Sequence, residues 1–285
     1  MKYIKRIFES QIEKKDFDSV KNGGNSLSKR EQTLLYQIVD KKWFHACHPR
    51  SGRPGIDGQK KVEVYKEDNY YYSNVLGICN QFDSFNSLVN YLYLRYKMDQ
   101  NDLTLDDVKN SILDPSFDNN LLISKSSELG YTEIVKYLLK DSRVDPRGPL
   151  NWAIRKSSSN GHLEIVKLLL LDGRANPGYL NNDAISWAAS HGHTEVVREL
   201  LKDPRVDPSI LRNGPILSAS HTGNIEMMRI LLKDPRVDPS VDNNYIIKCI
   251  PKNLNNYEDI VRLLIKHPKV RKGLSKEDIE RYELI

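Results

Sequence analysis

Apolar positions return with a fixed rhythm through residues 114–270. In one copy, Ile185, Ala188 and Ala189 lie three or four places apart, and Val196, Val197, Leu200 and Leu201 repeat that spacing after Gly192. Each run is the apolar stripe of a short helix, and glycine between them suits a left-handed helix end. The pattern therefore predicts a helix pair. The same frame fits Ile154, Gly161, His162, Ile165, Val166, Leu169 and Leu170, and again Ile216, Ala219, Gly223, Leu231 and Leu232. An earlier copy holds Ile123, Gly130, Ile134, Val135, Leu138 and Leu139. The stretch Leu200 to Ser209 returns almost unchanged as Leu231 to Ser240, and a fifth, looser copy, Leu264 to Val270, comes two places late in the same rhythm. A period of this length predicts a stacked array, because one helix pair cannot bury its apolar face alone.

The copy around Ile185, Ala188, Ala189, Gly192, His193, Val196, Val197, Leu200 and Leu201 resembles the ankyrin repeat in residue types and in spacing. The resemblance implies a mainly α fold: an ankyrin-repeat α-solenoid of about five copies, placed at 114–144, 145–175, 176–206, 207–237 and 238–270. The chain also departs from the family. Its period, from Leu200 to Leu231, is two places shorter than is usual there. Asp203-Pro204-Arg205-Val206-Asp207-Pro208 replaces a glycine-rich finger, and proline stiffens it. The family's threonine is absent: Leu121, Trp152, Asp183, Gly214 and Tyr245 stand in its place. In the fifth copy Asn256 stands where glycine is expected and Pro251 falls inside the first helix, so this copy reads as a degenerate cap. Ser275 opens a final capping helix within 271–285. The Asp-Pro-Arg-Val-Asp-Pro finger is similar to those of ankyrin arrays in giant DNA viruses of amoebae.

Residues 1–113 follow other patterns and are expected to form a separate, mostly helical domain. Ile4, Ile7, Phe8 and Ile12 suggest an amphipathic helix. Ser28 to Glu31 fits a capping box before Leu34, Leu35, Ile38, Val39 and Trp43, predicting a helix over 29–46. Val62, Val64 and Tyr65 suggest a short strand. Phe85, Leu88, Val89, Leu92 and Leu94 predict another helix, and Leu105, Val108 and Ile112 a third, suited to covering the end of the array. Between these lies a basic loop, 48–61, and the aromatic cluster Tyr70-Tyr71-Tyr72.

Charge and chemistry narrow the function. The net charge is +5, unevenly spread: +7 in residues 1–61, −4 in 62–113 and +2 thereafter. The repeats are near neutral, so a bulk electrostatic grip on nucleic acid is not their task. Three scattered cysteines, Cys47, Cys79 and Cys249, give no disulfide framework and point to a reducing, cytoplasmic setting, the host cytoplasm for a viral protein. No apolar run suits a membrane span, and the N-terminal segment lacks a secretory core. His45 and His48 flank Cys47, yet no second ligand pair follows at finger spacing, so no metal is expected. No catalytic motif and no phosphate-cradling glycine loop stands in the chain, and no cofactor is expected.

The reading is therefore a non-catalytic, monomeric scaffold that binds a protein partner through the concave face implied by the resemblance. One basic residue per finger, Arg143, Arg174, Arg205, Arg236 and Lys269, would form a ladder beside the column Asp141, Asp172, Asp203 and Asp234. Mutual neutralisation competes with partner contact for this ladder. Positions before each turn glycine differ between copies: Ser190-His191 in one, His221-Thr222 in the next. With Asn182 and Arg212, these complete the candidate contact residues. His162 and His193 read as packing residues. The alternatives are a nucleic-acid-binding or enzymatic N-terminal domain, with the repeats choosing its target.

Overall fold

The structure, a computed structural model, describes the backbone of residues 44–46, 62–67, 70–75, 78–82 and 85–283. The amphipathic segment near the start, the capping box at 28–31 and the basic loop 48–61 lie outside the described residues. The chain divides into two compact units, Met1–Asp114 and Pro115–Ile285.

The first unit contains a four-stranded sheet, β1 (Phe44–Ala46), β2 (Val62–Glu67), β3 (Tyr70–Val75) and β4 (Ile78–Phe82), in sequential order. β1 pairs with β2 in parallel, and the other two pairings are antiparallel. The strand expected at Val62–Tyr65 is thus one of four. The tyrosine cluster lies in β3, where Tyr72 faces Tyr65 and Tyr70 faces Glu67 across β2. Aromatic and β-branched residues suit a pleated surface, which explains why the cluster is a strand. The described part of this unit is therefore mixed rather than mostly helical. The helix expected over 29–46 cannot reach its end, because Phe44–Ala46 is committed to β1. A helix over Phe85–Asp99 packs on β3 and β4 and buries Leu88, Tyr91, Leu92 and Met98. The next, Leu105–Lys109, has a capping box from Thr104 and Asp107 and ends before Ile112, which is 60% exposed.

The second unit is five stacked helix pairs. First helices span Phe117–Leu129, Trp152–Ser159, Tyr179–Ser190, Ile210–His221 and Val241–Cys249. Second helices span Thr132–Leu138, Leu163–Asp172, Thr194–Leu200, Ile225–Leu232 and Tyr257–Ile265. First helices pack on first helices, and second on second through the first four copies, and one core runs from Val135 to Val270. Leu138, Leu169, Leu200, Leu231 and Leu264 are each fully buried, whereas Leu139, Leu170, Leu201 and Leu232 are only partly so. The first leucine of each pair is thus the core residue. Small residues let the first helices approach: Ser126-Ser127, Ser157-Ser158, Ala188-Ala189 and Ala219-Ser220 occupy one slot. Every second helix carries an acidic residue in its first turn, where a carboxylate complements the helix dipole.

The entry to the first helices is unusual. Four of them begin with a left-handed turn of three residues, such as Leu180-Asn181-Asn182 and Leu211-Arg212-Asn213, and the right-handed helix starts just after it. The second copy has two, Leu150 and Asn151, because Pro149 cannot take the third place. This also explains how Pro215 is tolerated: it sits in the first turn of its right-handed helix, where no backbone bond is lost.

The array ends as a cap. The helix Val241–Cys249 stops before Pro251. Pro268–Lys272 then forms a short helix where a fifth finger would fall, and Ser275 caps the closing helix Lys276–Glu283 through Asp278.

Candidate functional site

The fingers between copies are built by two carboxylates each, except the second, where Asn176 takes the place of the second aspartate. In the third finger, Asp203 accepts hydrogen bonds from the backbone N–H, Nε and Nη2 of Arg205. Asp207 accepts from the backbone and hydroxyl of Ser209. Val206, between them, and Pro208, just after, are buried. The fourth finger repeats this with Asp234, Arg236, Asp238 and Ser240.

The arginines reach backwards as well. Arg174 donates from Nη1 to Val144 O at 2.6 Å and from Nη2 to Leu139 O at 3.1 Å. Arg205 donates to Gly173 O and Ala175 O at 3.1 and 3.0 Å, and Arg236 to Val206 O and Leu201 O at 2.5 and 3.3 Å. Each of these three guanidiniums therefore clamps its own finger to the one before. That geometry needs arginine's planar fork, with one edge on a carboxylate and the other on carbonyls. Arg143, in the first finger, is the most exposed of the four at 58%. Electrostatics follow the contacts. The Arg143 guanidinium holds Asp141 down at about 2, and Arg205 and Arg236 likewise lower Asp203 and Asp234. Lys269 departs from the ladder. It pairs with Asp238 of the preceding finger at 3.0 Å.

Asn182 leaves the candidate surface altogether. It is buried, and its Oδ1 accepts from the backbone N–H of Asp207 at 2.7 Å. Asn120, Asn151 and Asn213 do the same for Asp145, Asn176 and Asp238. Asn244 uses its amide instead, donating to Val270 O at 3.1 Å. These five asparagines keep strict register with the repeat, one place before the slot where the threonine is missing. That regularity is the signal in the sequence from which the ladder can be read.

His162 and His193 are packing residues. The His193 ring covers Gly161, where an added Cβ would lie 2.5 Å from the ring, and its Nε2 contacts Ser159 O at 2.9 Å. His162 does this to Gly130 and Glu128 O. Asn256 proves to hold the histidine's place rather than the glycine's. It lies against Gly223 and donates to its carbonyl at 2.7 Å, and its φ of −114° is not the left-handed conformation of a turn glycine.

The remaining candidates stay at the surface. Ser190, His191, His221 and Thr222 are exposed around the turns. His191 contacts Trp187 O at 2.8 Å, and its ring stacks on that of His193 with centroids 6.2 Å apart. Arg212 is 79% exposed and pairs with Asp242 at 3.2 Å. A neighbouring cluster has no counterpart among the residues expected from sequence. Arg155, only 5% exposed, lies over the rings of Trp152 and Trp187 at 5.7 and 4.8 Å and pairs with Asp183 at 2.5 Å. Lys156 lies over the same two rings, at 4.7 and 5.4 Å. Cations on indole faces are attracted by the ring quadrupole, and Arg155 and Trp152 meet because they stand one turn apart on one helix.

Among the described residues no group of three or more His, Cys, Asp and Glu is placed to hold a metal ion, and no helix is long and apolar enough to cross a membrane.

Residues 157–244 and 185–275 match the family model for ankyrin repeats, which spans three copies. The repeat unit is an ankyrin-repeat α-solenoid, and ankyrin repeats in general mediate protein–protein interaction and are typically non-catalytic scaffolds. No curated protein matches the chain.

Proposed function

We propose that this protein is a non-catalytic scaffold that holds a partner protein against the first helices and finger flanks of its repeats. One observation carries the reading: a uniform buried core supports an exposed set that changes from copy to copy, Ser190-His191 in one turn and His221-Thr222 in the next. A solenoid has no structural need for that variation, while selective binding does. The finger type favours a viral protein acting on a host factor in the reducing cytoplasm, and the chain would act as a monomer. The full-length chain bearing Ser190→Ala, His191→Ala, His221→Ala and Thr222→Ala is the test. Partners captured from the native cell by the unaltered chain should be lost from this variant while its thermal unfolding is unchanged. Undiminished capture would overturn the assignment of the surface.

A further inference from the structure

An exposed large apolar side chain lies at or near the entry to each of four successive first helices. Leu150, Leu180, Leu211 and Tyr245 are 55%, 43%, 63% and 51% exposed. The three leucines stand on the left-handed turns and Tyr245 directly follows one. The buried asparagine fixes each of these turns, so the leucines are held outward by the backbone rather than left outward by chance. Single exposed leucines are ordinary, but a large apolar side chain left exposed beside the same turn in four successive copies is not. Leu180 and Leu211, each two places before its ladder asparagine, hold the same place in successive copies, whose helices stack about 8–10 Å apart.

Charge distinguishes this side of the array. The first helices carry five basic residues against four acidic, whereas the second helices carry five against eight. On the first helices, Lys125 pairs with Glu128, Arg155 with Asp183 and Arg212 with Asp242. Lys156 has no carboxylate within ion-pair distance among the described residues and is steadied instead by the two tryptophan rings. Arg155 links this cation to the row, since it shares the same rings and donates to Leu150 O at 3.2 Å. An acidic segment is thus drawn to the first helices and repelled from the second.

Resting on the scaffold reading above, we propose that this row docks a partner segment in which carboxylates are flanked by aliphatic side chains. A carboxylate meets Lys156, and the aliphatic groups cover Leu180 and Leu211. The apolar row supplies the buried area and the fixed cation supplies the register.

The test uses the full-length chain and fluorescent peptides of equal length: one of leucine and glutamate, one of leucine and lysine, one of serine and glutamate. The leucine–glutamate peptide should bind more tightly than either control by about tenfold or more, as a single well-placed contact provides. Lys156→Gln should remove the preference for glutamate over lysine, and Lys156→Glu should reverse it. Leu180→Ser with Leu211→Ser should weaken the leucine–glutamate peptide and leave the charge preference intact. Equal binding of the glutamate and lysine peptides, or no binding of any, overturns this inference. If partner capture still depends on the turn residues in that case, the scaffold reading survives without it. If capture is independent of those residues while the peptide preference holds, only the assignment of the turn surface fails.

Discussion

The side chain of Asn182 accepts a hydrogen bond of 2.7 Å from the backbone N–H of Asp207, tying the left-handed turn of one repeat to the finger of the next. The two ends of this bond solve each other's problem. Left-handed backbone costs roughly 1–2 kcal/mol per residue, least for asparagine. A finger N–H with no partner costs about 1–3 kcal/mol where it is buried. Asparagine combines tolerance of the turn with an acceptor of the right length to reach the finger.

Asn182→Ala should therefore destabilise the array by about 2–3 kcal/mol, from backbone strain and the lost bond together. Asn182→Gly should cost less, because it loses only the bond. Urea unfolding at neutral pH measures both. Equal losses would mean that the turn itself is unstrained.

The arginine clamps lead to an acid prediction. Asp141, Asp203 and Asp234 have their carboxyls lowered, first of all by the side chains of Arg143, Arg205 and Arg236. A carboxyl lowered in the folded state contributes stability that is present above its unfolded value, about 4, and is lost as pH falls through the folded value. The stability of the repeats should therefore drop between about pH 4 and the value near 2 reached by Asp141. Arg236→Gln removes the largest cause of the Asp234 shift and should flatten this loss. It should lower stability at neutral pH by roughly 1 kcal/mol, a modest figure because the pair is partly solvated. An unchanged acid profile would show that the clamp holds its geometry without favouring the charged carboxylate.

Most of the repeat unit is legible in the sequence because its core obeys a period. The leucine pairs, the turn glycines and the fingers all announce themselves by returning in one register, as Leu169, Leu200 and Leu231 do. The asparagine ladder has the same period, but asparagine reads as a loop residue until the backbone shows what it bridges. Asn256 is misplaced by simple counting for a related reason. Two added residues shift the fifth copy, while packing against Gly223 fixes the true position. Arg155 cannot be read at all, since its partners Asp183 and Trp187 come from the following copy. The finger arginines are legible as a column, yet their backward bonds to carbonyls exist only once the fingers stack. In the first unit, pairing between short strands leaves little trace in a single sequence, and β2 alone of the four shows the alternation that announces a strand.

The serines in the small-residue slot give a prediction of opposite sign. Ser127 and Ser158 are fully buried, and neither hydroxyl has a hydrogen-bond partner. An orphan buried hydroxyl costs free energy, and alanine fits the slot, as Ala188 and Ala189 show. Ser127→Ala and Ser158→Ala should each raise stability by about 1 kcal/mol, with alanine's helix propensity contributing. A loss of stability in thermal unfolding would reveal a hydroxyl partner in solution.

The leucine pair separates core from shoulder. Leu200 is fully buried and Leu201 only partly. Leu200→Ala should cost about 2–5 kcal/mol, and Leu201→Ala distinctly less, because a partly open site loses less buried area and leaves no closed cavity. Denaturant midpoints for the two variants, compared at equal slope, decide the order. The reverse ranking would mean that the second leucine is the one sealed by the neighbouring copy.

Gly161 and Gly192 share a left-handed backbone, with φ of 75° and 78°, but not a neighbourhood. The His193 ring lies across Gly161, while nothing stands within 4 Å of a Cβ added at Gly192. Gly192→Ala should therefore cost only the backbone strain, about 1 kcal/mol. Gly161→Ala adds a collision with a ring whose Nε2 is held on Ser159 O, so its cost should be clearly larger. His193→Ala removes the collision along with the hydrogen bond. In the double variant with Gly161→Ala, the two losses should sum to more than the measured total, and a double-mutant cycle reads the difference directly. Strict additivity would mean that the ring moves aside at no cost, and that the histidine does not lock one repeat onto the next.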